Sequence, residues 1–530
     1  MKSLAPLLSI IALVCGLVGC PGGGGSGGGG SAADFAVSTT AADFGVVDNS
    51  YTSTLAVTGG TAPFTWTLFG GVLPAGLSLN AGTGVVSGTP MAVENPTAVF
   101  TVTDSTGKSA IGSVLFAVHP RTDRASVTGS GTAGSGASSA PSISGDGSLI
   151  AFASSSTNFV TGVNGTQIYV HNRQTNQIEV ASRDSDSSAI NEGGGPSSDP
   201  SMSADGRFVA FVSLSSNLVA NVSGQQIYVR DRQTGQTTAV SKSSAGIIGG
   251  GTSHAPAISA DGRYVAFASA STNLVTGVNG TQIYLHDREL GLTTLISKDN
   301  SGTPVFADGA SSSPAISSDG QFVAFASLST NLGTAGGNQQ IYIHDRLTGA
   351  NGTTSLVSKD NVPTAGNGNS STPSISGDGR FVAFMSLATN LVTSVGGQQI
   401  YLHDRNTGVN GTNSLVSHDN NGSPVQGNGA SSVPSISSNG QVVAFTSLAT
   451  NLLSPAPAVA GQQVYSHDRS IGATGATSLV SKDNSVTPVE GNSASDQPST
   501  NSDGSFVAFS SQATNLVTGS GSHIYVRAIP

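Results

Sequence analysis

From Pro141 onward the chain alternates short apolar runs with polar corners in a fixed order. In Phe381–Phe384, FVAF, Phe381 and Ala383 fall on one face of a strand and Val382 and Phe384 on the other. Both faces are apolar, so the strand needs a packed layer on each side. Around it the same words recur. A short strand P-S-I-S leads to a D-G corner, the F-V-A-F-x-S strand and a loop containing T-N-L. A third strand, Q-I-Y-x-H-D-R, then runs through a T-G corner to a fourth, T-S-L-V-S. The unit opens at Pro141, Pro200, Pro256, Pro314, Pro373, Pro434 and Pro498.

Seven units of four antiparallel strands, 56 to 64 residues apart, predict a seven-bladed β-propeller. The Ala-Phe pair stands in every unit, from Ala151-Phe152 to Ala508-Phe509, so small and large groups can interlock from blade to blade. The last unit ends after its third strand. The missing fourth stands ahead of the first unit, near Asp123–Thr128, DRASVT, and would shut the ring without an open edge. The expected fold is all-β, with this propeller over 120–530 closed by an N-terminal strand.

Before it, Ala36–Ser38, Thr54–Thr58, Phe64–Leu68, Gly84–Ser87, Val99–Asp104 and Ser113–Val118 read as strands broken by Gly and Pro, a β-sandwich over 34–119. The words of Gly59–Pro90, GGTAPFTWTLFGGVLPAGLSLNAGTGVVSGTP, and FTVTDSTGKSA at Phe100–Ala110 resemble the bacterial putative-Ig repeat of the cadherin-like superfamily. That resemblance implies an adhesion or spacer module and brings calcium into view. Asp104 is one carboxylate, whereas calcium takes six to eight oxygens, so a turn role competes with a ligand role there. Trp66 reads as the core anchor. The wording P-S-I-S-x-D-G-R-x-V-A-F with I-Y-x-x-D beyond it resembles the TolB-like, WD40-like propeller repeat of bacterial envelope proteins. Seven units instead of six, and no TolB N-terminal domain, keep the TolB role from being carried over.

Charge changes the picture of partners. Only 9% of residues are charged, against about 25% in ordinary domains. The net charge of −10 with scattered Lys and Arg argues against nucleic acid. The chain reads as a monomer. The two cysteines, Cys15 and Cys20, both precede residue 21, so no disulfide framework exists further on. Lys2, the apolar run Leu4–Val18 and LVGC at Leu17–Cys20 read as a signal peptide over 1–20. The LVGC ending resembles the bacterial lipobox, which implies cleavage before Cys20, its lipidation and membrane anchoring through it. Pro21 stands where an inner-membrane retention Asp would, which favours the outer membrane. Residues 21–33 hold GGGGSGGGGS, a flexible tether of either native or engineered origin. Its G-x-S-x-G match at Gly24–Gly28 is compositional only.

Candidate chemistry is sparse. The corner residues Asp146, Asp205, Asp261, Asp319, Asp378, Asn439 and Asp503 are each followed by Gly. A catalytic carboxylate would not survive exchange for Asn, whereas a tight hairpin with both central residues at positive φ accepts either. His286-Asp287-Arg288 and its copies read as hairpin and inter-blade contacts, not metal ligands. The Asn of T-N-L reads as a loop cap. Asn164, Asn279, Asn351 and Asn410 open N-G-T triplets, read as turns. The run Asp184–Glu192 reads as a solvated loop in preference to a calcium site. Apart from the lipid-attachment residue Cys20, no catalytic, cofactor or metal residue is assigned. The expectation is a non-enzymatic envelope protein whose propeller binds a protein or glycan, with the Ig-like domain as stalk. Two alternatives stand beside it: a propeller hydrolase of polysaccharide or peptide, and a calcium-binding cadherin-like adhesion protein.

Overall fold

A computed structural model describes residues 34–529 except 186–193, 302, 304, 334–336, 361, 363, 409, 422, 455–460 and 486. The signal peptide, Cys15, Cys20, the tether and most of the acidic run Asp184–Glu192 therefore lie outside the described residues. Among the described residues there are strands and no helix.

Seven sheets are four-stranded. Six take their strands from consecutive segments, for example Ser370–Ile375, Phe381–Ser386, Gln399–Asp404 and Thr412–Leu415. The last combines Ser495–Thr500, Phe506–Ser511 and His523–Ala528 with Thr122–Arg124 as its outer strand, Asp123 opposite Val526. The sheets stack face to face in chain order, a propeller-like arrangement. Phe384 packs with Ala324 and Ala326 of the sheet before. Ala383 packs with Val443 and Phe445 of the sheet after. The large-into-small interlock is thus built from the two faces of one strand. Tyr401 stacks on Phe384 and spends its hydroxyl on the Ala388 carbonyl, 3.2 Å away.

Two details correct the expected strands. The first strand of each unit begins three residues before its Pro, at Ser138 or Ser370. It bulges at the residue preceding the Pro, which takes positive φ in all seven units, Val433 (φ 50°) included. The Asp-Gly corner is also not a turn with two positive-φ residues. Gly320 has φ 72°, while Asp319 is not in the left-handed region. Ser317 to Gly320 form a turn closed by the Gly320 N–H on the Ser317 carbonyl, 3.0 Å, with the left-handed residue at its end. A Cβ on Gly320 would sit 2.3 Å from the Tyr264 ring of the preceding sheet, so only glycine fits.

These corners also join one another around the centre. The Gly145 N–H donates to the Ala204 carbonyl, Ala204 to Ala260, Ala260 to Ser318, Ser318 to Gly377 and Gly377 to Ser438. Asn439 then donates to Ser502, and Ser502 back to Gly145. The backbone bonds make a closed circle, one link per unit.

The N-terminal domain has two three-stranded sheets. One joins Tyr51–Thr54, Leu77–Leu79 and Val85–Gly88; the other joins Thr65–Gly70, Thr97–Thr103 and Ser109–Leu115. Trp66 (3% exposed), Val86, Phe100 and Val102 fill the space between them. The single strand expected over Thr54–Thr58 is two pieces. Buried Leu55 lets the chain cross from Tyr51–Thr54 to Val57–Thr58, which pairs with Ala36–Val37.

Candidate functional site

The repeated polar residues serve the fold. Asp319 Oδ1 accepts from the Gln321 N–H (2.9 Å) and the Ser317 hydroxyl (2.7 Å). Asn439 accepts the equivalent pair with its amide oxygen. The histidines of Q-I-Y-x-H thread one sheet to the one before. His344 Nδ1 is 2.9 Å from Thr354 Oγ1, whose proton goes to the Lys298 carbonyl at 2.7 Å. Since that hydroxyl is already donating, Nδ1 carries the proton. His286–Thr293–Lys242 and His467–Thr477–His418 repeat the relay, and His403 runs it through Asn413 to Lys359. Burial holds these four imidazoles neutral, down to about 4. Where histidine is absent, Arg230 reaches Thr237, and Arg527 reaches Thr122 of the closing strand. The arginine that follows lies on the preceding sheet's aromatic ring, Arg346 over Tyr264 at 4.3 Å and Arg405 over Phe322 at 4.2 Å.

The Asn of T-N-L acts further away than a loop cap. Asn273 accepts from Gly250 N–H and donates to the Ile248 carbonyl, clamping the segment ahead of its own first strand. In the N-terminal domain, Asp104 accepts from the backbone N–H groups of Thr61, Thr106 and Lys108 and from the Thr106 hydroxyl, which hold its carboxyl below the usual range.

Where the first and seventh sheets meet, the N-terminal domain takes part. Arg173, fully buried, lies between Phe506 (5.0 Å) and Phe44 (4.6 Å). His119 bridges Asp123 (2.9 Å) and the Arg173 carbonyl (2.8 Å), and Gln174 donates to the Ala42 carbonyl. Burial brings the Arg173 guanidinium down to about 10.

Two of the cavities bear on function. The central one, about 260 Å³, is lined by Ser142, Ser201, Ile258, Ser374 and their equivalents, all uncharged. The larger, about 740 Å³, lies where the fifth and sixth sheets meet, between Val392–Val395, Ser414–Val416, Pro424–Gln426 and Ala473–Gly475. His418, His467 and Arg469 line it. His418 was passed over in the sequence, though the signal was there: the same place holds lysine at Lys242, Lys298, Lys359 and Lys482.

Residues 33–119 match the family model described as Putative Ig domain. No curated protein matches the chain. Among solved structures, TolB from Acinetobacter baumannii is 15% identical, with 78% of this chain and 81% of that chain covered and a TM-score of 0.35. The β-propeller domain of the Trilobed protease from Pyrococcus furiosus is 13% identical over 73% and 92% of the two chains, TM-score 0.43. The Pyrococcus horikoshii acylaminoacyl peptidase is 12% identical over 74% of this chain and 51% of that one, TM-score 0.43.

Proposed function

We propose that the chain is a lipid-anchored envelope protein, held in the outer membrane through Cys20, whose seven-bladed propeller is a non-enzymatic docking platform for a protein. The closing strand Thr122–Arg124 shuts the ring, and the Ig-like domain is a spacer fixed at the seam. One observation carries the docking reading. Leu214, Leu328, Leu387 and Leu448 occupy the same place in four units, 46 to 50% exposed. Each donates its N–H to the residue just before its own first strand, so all four sit on the face opposite the Asp-Gly corners. Four half-exposed leucines on one face suit a protein better than a glycan, which would want aromatic platforms. The hydrolase alternative draws no support from the central cavity, whose lining has neither carboxylate nor imidazole. The calcium alternative draws none from Asp104, whose oxygens already accept turn donors.

The test is a quantitative pull-down from envelope extract, wild type against a variant with all four leucines changed to serine and an unchanged melting profile. A saturable protein partner held by the wild type and lost by the variant is the expected result. Equal capture by both, or turnover of a polysaccharide or peptide panel, would sink the proposal.

A further inference from the structure

The cavity between the fifth and sixth sheets is enlarged where the repeat is broken. In the equivalent groove of the third sheet, Lys298 lines a cavity of about 510 Å³. Lys359 and Lys482 hold the same place in their own units. The shorter His418 leaves about 740 Å³ open. Val392, Val395, Leu415 and Val425 give the space apolar walls, and no Asp or Glu lines it.

What faces the cavity is basic. His418 is 4% exposed, and its Nδ1 is 2.6 Å from the Asp419 carbonyl, an acceptor only. Nδ1 therefore donates, and Nε2 has no hydrogen-bond partner among the described residues. The His467 ring stands edge-on at 4.7 Å. Arg469 gives one amino group to the Gly440 carbonyl and lies over Phe381 at 4.1 Å, with no carboxylate of the described residues in ion-pair range. The Asp419 carboxylate is taken up by Asn421 and the Val425 N–H. No aromatic ring other than the two imidazoles lines the groove, which argues against a sugar.

We infer that this groove binds a small carboxylic acid with an apolar body. The carboxylate lies against Arg469 and His418, the body against the valines and Leu415. One proton lies between the carboxyl group and His418 Nε2, while Nδ1–H stays on the Asp419 carbonyl. The site is independent of the leucine face and stands or falls apart from it.

The test is calorimetry on the full chain with decanoate as probe and decan-1-ol as the uncharged control. The expected result is saturable binding of one decanoate per chain and none of decan-1-ol. His418→Lys restores the repeat, narrows the groove towards the size seen beside Lys298 and removes the imidazole Nε2, weakening binding at least about tenfold with the melting temperature kept. Should that variant fold poorly, Lys359→His decides instead. It opens the fourth groove beside Arg405 and should add a second equivalent. No saturable uptake by the wild type, undiminished binding in a folded His418→Lys, equal binding of decan-1-ol, or no second equivalent in Lys359→His would each overturn the inference.

Discussion

The junction of the seventh sheet with the first and the junction of the third with the fourth use the same parts to different effect. At the ordinary junction, Arg346 covers Tyr264, and His344 hands its proton through Thr354 to Lys298. At the seam, Arg173 covers Phe506, but Ile178 stands opposite His171 in place of the relay threonine, and the buried His171 Nδ1 has no partner. The chain crosses both junctions; its break lies inside the seventh sheet, between His523–Ala528 and Thr122–Arg124. What the relay leaves out at the seam, Phe44 and His119 of the N-terminal domain supply, together with Asp123 of the closing strand. The difference shows that a ring of like units is held by side chains that repeat, while its seam is held by side chains that do not.

Acid should separate the junctions that use a relay histidine from those where arginine takes its place most strongly. The four relay histidines are held down to about 4 by burial, below the ordinary imidazole value. Their contribution is therefore complete at neutral pH and is lost as pH falls from the ordinary value towards 4. At pH near 5 each should cost about 1–2 kcal/mol. Hydrogen exchange should then rise first in the third to sixth sheets and lag where Arg230 and Arg527 take the histidine's place. Uniform exchange across all seven sheets would break the comparison.

Arg173→Ala comes next. It strands Asp123 beside His119 and removes a buried guanidinium from two rings, a loss of about 3–5 kcal/mol in guanidinium unfolding. Arg346→Ala, at the same place in the repeat, should cost only about 1–2 kcal/mol. Equal losses would mean that the seam is an ordinary junction. Phe44→Ala should cost about 1 kcal/mol alone and almost nothing in the Arg173→Ala background, a non-additivity read from the double mutant. The smallest effect belongs to the corners. Asp319→Asn should stay within about 0.5 kcal/mol, because Asn439 already makes the same bonds, whereas Asp319→Ala should lose about 1 kcal/mol.

The period of the Ala-Phe pair made the repeated sheets legible in the sequence, because a strand apolar on both faces has to be sandwiched. Asp123–Thr128 betrayed the strand that pairs with His523–Ala528, since the last unit lacked one. The corner geometry was half legible. Asp-Gly marks a turn, but which residue goes left-handed depends on the serine two places before the Asp and on Tyr264 crowding from the preceding sheet. Leu77–Leu79 and Gly45–Val46 escaped notice because strands of two or three residues carry no period. Asn273 clamps a segment 23 residues upstream, a distance that local turn chemistry does not encode. The basic groove was written plainly as one His among lysines, but its meaning needed the cavity.

The circle of corner bonds around the centre has an electrical consequence. Every peptide in it points to the next in one rotational sense, from Gly145 round to Ser502 and back. A helix built from aligned peptides has two charged poles; a circle of them has none, because seven dipoles set head to tail round a ring sum to nothing in its plane. The axis of the molecule is in this respect field-free, so an ion arriving there finds no pull from the backbone, and any preference for charge has to come from side chains at the rim.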